Sequence, residues 1–460
     1  MSSSNLTGVR RLVSALLAVL AAAAAVLALG SVQPAVAATP GERLDAGSEH
    51  TCVVLDNGRV RCWGLNSAGQ LGYGNTGVFG LNLIGDNETP ETEGPVAFGG
   101  PDAVEVATGS HHSCAILDDG GVRCWGLGAD GRLGYGNVNT IGDNETPAGQ
   151  ANVSIGPNRT ATAVTGGGGH TCAILDNGKV RCWGDNGAGQ LGYANTAGQP
   201  AIGDNETPVS AGYVDLGNGR TATAIAAGLV HTCAILDNEK VRCWGSGDDG
   251  RLGYGNEDMI GDGETPADAG YVDLGAGGLG AKAIAAGQEH TCVILTNDKV
   301  RCWGQAFEGA LGYGNTEAIG DDESPDTATV GHVQLGGVNA ISIAAGDSHT
   351  CAVLADTTVR CWGLPTEGQL GLVLGFGVVF PPIGDSETPD SQPTVDLAGR
   401  AGVAITAGGI HTCAAVATAH VHCWGNGSQG ATGQGNPFSL GDDEAPGVAP
   451  RVSIGGVITP

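Results

Sequence analysis

Apolar and polar positions alternate along this chain in short, bounded runs. An apolar stretch ending in glycine, such as "AIAAG" (224–228), is followed by "HTCAILDNGKVRCWG" (170–184 in its third copy). A glycine-rich segment such as "GQLGYGN" (69–75) leads to "IGDNETP" (84–90), and "YVDLG" (213–217) ends the unit. Four to six apolar or β-branched residues between Gly, Asn, Asp and Pro clusters predict short strands and tight turns. No stretch sustains a helical period.

The pattern recurs seven times, starting at His50, His112, His170, His231, His290, His349 and His411, at spacings of 58 to 62 residues. A unit of about 60 residues supplies roughly four strands. Such units cannot bury both faces alone, but stacked radially they can. The expected fold is therefore all-β, a seven-bladed β-propeller of four-stranded blades. The repeat units run approximately over 41–101, 102–160, 161–221, 222–280, 281–339, 340–400 and 401–456. The last piece, "RVSIG" (451–455), matches "YVDLG" and either completes the last blade or pairs with the first. Closure by strand exchange is the expectation, because it removes two exposed edges.

The first 37 residues differ from the repeats. Arg10 and Arg11 precede an apolar run from Leu12 to Gly30, and Ala35-Val36-Ala37 offers a small-residue cleavage site. This is the layout of a secretory signal peptide over 1–37, with the propeller over 38–460. An uncleaved segment would be a membrane anchor. Without the leader, 48 acidic and 18 basic residues remain, a net charge of −30. That charge disfavours nucleic acid and anionic lipid as partners.

All 14 cysteines fall in the repeats, as Cys52/Cys62, Cys114/Cys124, Cys172/Cys182, Cys233/Cys243, Cys292/Cys302, Cys351/Cys361 and Cys413/Cys423. With Asp176-Asn177-Gly178 as a three-residue hairpin loop, Lys179 faces Leu175, Val180 faces Ile174 and Cys182 faces Cys172. Directly opposed residues lie within disulfide range, so one disulfide per blade is expected. Metal binding is the rival, but each hairpin offers two thiolates where structural zinc takes four ligands. Buried free thiols are the other. The seven Trp residues each follow the second cysteine. They read as packing between blades, with a ligand-stacking ring as the alternative.

"VRCWGDNGAGQLGYANT" (180–196) and "AIAAGLVHTCAIL" (224–236) resemble the repeat of the regulator of chromosome condensation family. The resemblance covers about residues 41–456 and implies a seven-bladed propeller. The family's founder binds chromatin and exchanges nucleotide on Ran, and a secreted β-lactamase inhibitor has a similar propeller. No position here matches an exchange-factor residue, and the leader argues against that role.

The acidic motif contributes Asp86/Glu88, Asp143/Glu145, Asp204/Glu206, Asp262/Glu264, Asp321/Glu323, Asp385/Glu387 and Asp442/Glu444. These are expected to pair with Arg61, Arg123, Arg181, Arg242, Arg301 and Arg360, since an Arg fork suits a carboxylate. Calcium is the second reading, though no established calcium loop is present. The seven repeated His residues read as hydrogen bonds that fix blades, too far apart to share a metal. No catalytic constellation stands out: "GGGG" (166–169) lacks the Lys of a phosphate loop, and "GSGDDG" (245–250) is no nucleophile elbow.

The loops before "IGD" diverge. Blade 1 carries "TGVFGLNL" (76–83), with Val78 and Phe79, and blade 6 carries "LVLGFGVVFPP" (372–382). The latter places Leu372, Leu374, Phe376, Val378, Val379 and Phe380 in an expected surface loop, and exposed apolar clusters mark partner sites. The sequence therefore reads as a secreted or cell-surface, non-enzymatic scaffold that binds an extracellular protein or glycan, with no cofactor other than the calcium alternative. An extracellular enzyme and an exchange factor are the alternatives.

Overall fold

A computed structural model describes residues 43–76, 83–195, 200–275, 278–326, 331–373 and 381–458. The expected leader, 1–37, lies outside them. Among the described residues no helix is long and apolar enough to cross a membrane.

Each repeat folds as three consecutive antiparallel strands, giving seven sheets. In blade 4 these are Ala222–Ala227, His231–Leu236 and Val241–Gly245. The register is the one the hairpin loop predicts: Cys172 opposes Cys182, Ala173 opposes Arg181 and Ile174 opposes Val180.

All seven expected cysteine pairs are disulfides. Blades 1 to 4 carry Cys52–Cys62, Cys114–Cys124, Cys172–Cys182 and Cys233–Cys243. Blades 5 to 7 carry Cys292–Cys302, Cys351–Cys361 and Cys413–Cys423. Their Cα atoms lie 4.0–4.1 Å apart, as opposed residues of neighbouring strands do. Every one of these cysteines is at most 1% exposed. No free thiol is left, so the metal-ligand and free-thiol alternatives both fall. Seven intrachain disulfides fit an oxidising compartment.

The fourth strand is nearly absent, which corrects the expectation of four-stranded blades. Among the described residues blade 3 alone has one, Ala201–Ile202. In the other six blades its place is held by a single bridge, as between Gly64 and Ile84. The cause lies in the glycine-rich segment. Tyr73 brings its hydroxyl to the outer edge of the third strand, accepting from Cys62 N at 3.0 Å and donating to Cys62 O at 2.9 Å. Tyr135, Tyr193, Tyr254 and Tyr313 do the same in blades 2 to 5, at Cys124, Cys182, Cys243 and Cys302. One hydroxyl thus satisfies the groups a fourth strand would use. Beyond it the chain descends the blade and touches the third strand again, Val214 N bonding to Val180 O.

The C-terminal segment closes the ring in two ways. Val452 N bonds to Val421 O, so "RVSIG" completes blade 7. The next residues continue into blade 1. In blade 2, Asp118 N donates to Asp102 O and Ala103 N to Gly58 O, which fixes the start of the inner strand. At the seam the same two bonds run from Asp56 N to Val457 O and from Ile458 N to Ala419 O. Val457–Ile458 therefore begin the inner strand that Leu44–Ala46 finish. Strand exchange does close the ring, by the residues after "RVSIG" and not by that segment itself.

Candidate functional site

The seven repeated histidines form a relay between blades. His50 Nε2 meets Ser113 Oγ of blade 2, His112 meets Thr171 of blade 3, and so on until His411 meets Thr51 of blade 1, all at 2.7–3.0 Å. In six blades that hydroxyl donates onward to a backbone carbonyl of the preceding blade, as Thr232 does to Gln190 O. The hydroxyl proton is thereby used, so the histidine must donate from Nε2. Nδ1 is buried without a partner in six of the seven, at His50, His112, His170, His231, His349 and His411. A protonated imidazole would bury a donor without an acceptor, and burial holds these rings neutral, His170 being lowered to about 3. Five Trp residues meet the same carbonyls, Trp125, Trp244, Trp303, Trp362 and Trp424, with Trp244 Nε1 donating to Gln190 O at 2.9 Å, while Trp63 donates to Ala431 O and Trp183 Nε1 has no partner. All seven Trp side chains are fully buried, which is the packing role.

Inside this ring runs a second one, of glycines. Gly47, Gly109, Gly167, Gly228, Gly287, Gly346 and Gly408 precede the histidines by three residues. A Cβ on any of them would lie 2.2–2.6 Å from the next glycine's carbonyl oxygen, so only glycine lets seven blades meet at the axis. These glycines line an axial cavity of about 80 Å³. Its mouth is set by the residue after each glycine: Ser48, Ser110, Gly168, Leu229, Gln288, Asp347 and Gly409. These seven positions differ from blade to blade, while the Gly and His around them do not.

The cysteines line no part of this cavity. Cys52, Cys114, Cys172, Cys233, Cys292, Cys351 and Cys413 sit in the middle strands, and Cys62, Cys124, Cys182, Cys243, Cys302, Cys361 and Cys423 oppose them in the third strands. Buried and bonded to each other, they staple the scaffold and offer a ligand nothing.

Asp347 is the acid that lines the cavity. Burial raises its pKa to about 6, and the neighbouring charges of Glu49 and Glu289 add to this. Deeper in, Asp45 is also raised to about 6 by burial, while accepting from Thr108 N at 2.7 Å and from the Thr108 and Thr406 hydroxyls. Asp45 and Glu105, which accepts from Val164 N at 2.7 Å, cap inner-strand N–H groups of the next blade. Their role is to satisfy an edge.

The cavity mouth opens at the end of the blades where the third strands finish. Leu65 N bonds to Glu49 O there, and Gly64 pairs with Ile84. The described residues between each glycine and histidine, and those from the third strand through the acidic motif, thus share one end of the ring. They hold 28 of the chain's 48 acidic residues and two of its 20 basic ones, Arg132 and Arg251. The clustering was legible in the sequence as acids concentrated in two connectors per repeat, and net charge alone concealed it.

The expected Arg–carboxylate pairs do not form. Arg61 Nη1 donates to Pro90 O and Glu91 O at 3.1 and 3.0 Å, and Arg181 to Pro208 O and Val209 O. Arg123, Arg242, Arg301 and Arg360 likewise reach backbone carbonyls. The segment descending the blade has carbonyls but no ladder partner, and the guanidinium supplies donors to them. Among the described residues no acidic-motif carboxylate forms an ion pair, and burial with the neighbouring Asp322 and Asp321 raises the Glu323 pKa to about 7. Asp321, Asp322 and Glu323 bring carboxylate oxygens within 4.8 Å of one another, as do Asp442, Asp443 and Glu444. Leu372 is no surface residue: it is 2% exposed, taking in blade 6 the core-facing place of the capping tyrosine. Leu374, Phe376, Val378, Val379, Phe380, Val78 and Phe79 lie outside the described residues.

Fold and axial ring together define a seven-bladed β-propeller made of one repeat. Residues 71–453 match the RCC1-like domain, and residues 43–70 match the regulator of chromosome condensation (RCC1) repeat. The chain belongs to this family. It is 27% identical over 330 residues to the ultraviolet-B receptor UVR8 of Arabidopsis thaliana, covering 72% of this chain and 66% of the receptor. Against the human E3 ubiquitin-protein ligase HERC2 it is 26% identical over 331 residues, 72% of this chain but 6% of the ligase. Yeast RCC1 (Prp20), seen with Kap60 bound, superposes with a TM-score of 0.63 at 18% identity, covering 90% of this chain and 86% of that one. Human WBSCR16 gives 0.65 at 17% identity, over 85% and 92%. At such identities the structures speak for the fold alone.

Proposed function

We propose that this chain is a secreted or cell-surface, non-enzymatic scaffold that recognises a protein or glycan partner through the end of the ring where its repeats diverge. The observation that carries this reading is the division of labour within the repeat. Gly, His, Thr, Cys and Trp recur to build the ring, while the residues between Gly and His and the connectors after the third strand vary and share one end. A rigid scaffold presenting variable loops is a common basis for recognition. The basic leader with its apolar run and small-residue site supports export, and seven buried disulfides suit that destination. The similarity to a receptor and to a ligase supports a role in recognition.

The test uses the oxidised mature chain on arrays of extracellular proteins and glycans. A variant carrying Glu49→Gln, Asp347→Asn and Phe438→Ser changes the divergent end. A second, carrying Lys179→Gln, Lys240→Gln and Lys299→Gln, changes the hairpin end. Saturable binding lost in the first and kept in the second is expected. Binding unchanged by the first variant places recognition elsewhere, and no saturable binding removes the scaffold reading.

A further inference from the structure

We infer that the acidic end of the propeller docks a basic protein partner, and that one lysine or arginine side chain of that partner enters the axial cavity beside Asp347. This rests on the scaffold reading and names the chemistry of its partner.

Three observations converge. First, charge is polarised along the axis. The divergent end holds 28 acidic and two basic residues, a balance of −26. Apart from the leader arginines, the rest of the chain holds 20 acidic and 16 basic ones, a balance of −4. A surface so one-sided steers and selects ligands of opposite sign.

Second, Asp347 and Glu49 at the mouth form no ion pair among the described residues. Arg132 is spent on Ala129 O, Gly168 O and Asp130 within its own corner of the ring. Arg251 is held by Asp248 O and Asp249, and reaches Glu289 only at 3.8 Å. No hydrogen bond or ion pair to the Asp347 side chain is found among the described residues, although that side chain is largely buried. Repulsion from Glu49 and Glu289 is felt there. An incoming cation would relieve burial and repulsion together.

Third, the cavity and its surroundings have a shape to match. The axial cavity of about 80 Å³ admits the end of one long side chain. Gln288, Ser48 and Ser110 add polar groups, and Leu229 adds an apolar wall for an alkyl stem. Around it, Val138, Met259, Phe307 and Phe438 stand exposed on connectors of the same end, Phe307 at 62% and Phe438 at 72%. Single apolar contacts in an acidic field fit a basic protein surface better than a sugar or a free cation.

The experiment is a fluorescence titration of the oxidised mature chain with a labelled peptide of alternating arginine and phenylalanine, run beside its citrulline and glutamate counterparts. The arginine peptide should bind, and the other two should not. Asp347→Asn should weaken binding roughly tenfold, as expected for losing one member of a desolvated charge pair. The Asp347 side chain makes no hydrogen bond or ion pair among the described residues, so the variant should melt no lower than the parent. Asp176→Asn and Asp237→Asn, at the hairpin end, should change binding less than about twofold, the range of an exposed charge. Failure of the arginine peptide to bind overturns the inference, and so does equal weakening by Asp347→Asn and the hairpin-end variants. Should the arrays yield a partner that is insensitive to Asp347→Asn, this inference falls while the scaffold reading stands.

Discussion

At the third position of the cysteine hairpin the backbone must turn left-handed, and three repeats meet that need with Gly58, Gly120 and Gly178. The other four do not: Glu239, Asp298, Thr357 and Ala419 hold φ between +62° and +71°. For an L-residue this costs about 1–2 kcal/mol, and β-branched Thr357 is the most strained type among them. Thr357→Gly should therefore raise stability by roughly 1 kcal/mol, part of the relief being offset by glycine's freedom in the unfolded chain. A shift of the urea midpoint to higher concentration would register it, and an unchanged or lower midpoint would show that the loop bears no strain. The hairpin was legible because its logic is local: ten residues fix which side chains oppose each other, and so Cys124, Cys243, Cys302, Cys361 and Cys423 find their partners as Cys62 and Cys182 do. Arg61 was not. Its partners are carbonyls on a segment 29 and 30 residues onward, and nothing in that segment's composition reveals that its backbone runs unpaired past the guanidinium.

Among the elements, the tyrosine plug and the C-terminal tail bear most directly on how the blades are finished. In blades 1 to 5 a hydroxyl takes the place of the fourth strand, whereas blades 6 and 7 carry Leu372 and Gln434 there. Gln434 leaves both amide atoms buried and unpartnered. Tyr193→Phe should destabilise by about 1–3 kcal/mol, since it strands Cys182 N–H and C=O at a covered edge. Gln434→Tyr should stabilise by about as much if the plug forms, and thermal unfolding of the pair checks both signs. Truncation after Gly455 removes the two residues that begin the inner strand of blade 1, including Ile458, which is 3% exposed. Loss of that burial and of two seam bonds should cost roughly 3–4 kcal/mol. Hydrogen exchange should then quicken at Asp56, whose N–H loses its acceptor, before it does in blade 4. Uniform protection would mean that the ring holds without its tail. The repeats made three strands per blade readable from period and turns. The missing fourth could not be read, because "IGD" follows a strand-like apolar pattern and only the tyrosine's position removes its ladder partner.

For the whole molecule, the decisive property is that a ring of neutral imidazoles lies inside a shell of carboxylates, and the two respond to acid in opposite senses. His50, His170 and His349 are lowered to about 3, and His290 and His411 to about 4, chiefly by burial. His112 and His231 fall well below their ordinary value. A base with a depressed folded pKa contributes stability that is complete above its unfolded value, near 6.5, and is lost as pH falls toward the folded one. Each such imidazole removes about 1.4 kcal/mol per pH unit over that window. Asp45 and Asp347, raised to about 6, act the other way: the penalty for their charge is present above 6 and fades as pH falls toward 4. Seven imidazoles against two buried carboxylates leave a net uptake of roughly five protons on unfolding between pH 6 and 4. The protein should therefore lose stability steeply through this range. At neutral pH, added salt should raise its stability by screening the acidic end. Denaturation midpoints measured from pH 7.5 to 4, with calorimetry in two buffers of different ionisation enthalpy, give the slope and the proton count. A flat profile through pH 5 would mean that the imidazoles are already charged in the folded ring. The hydrogen-bond direction from His Nε2 through the Thr hydroxyl to the carbonyl would then be wrong, and with it the account of why each blade repeats that histidine.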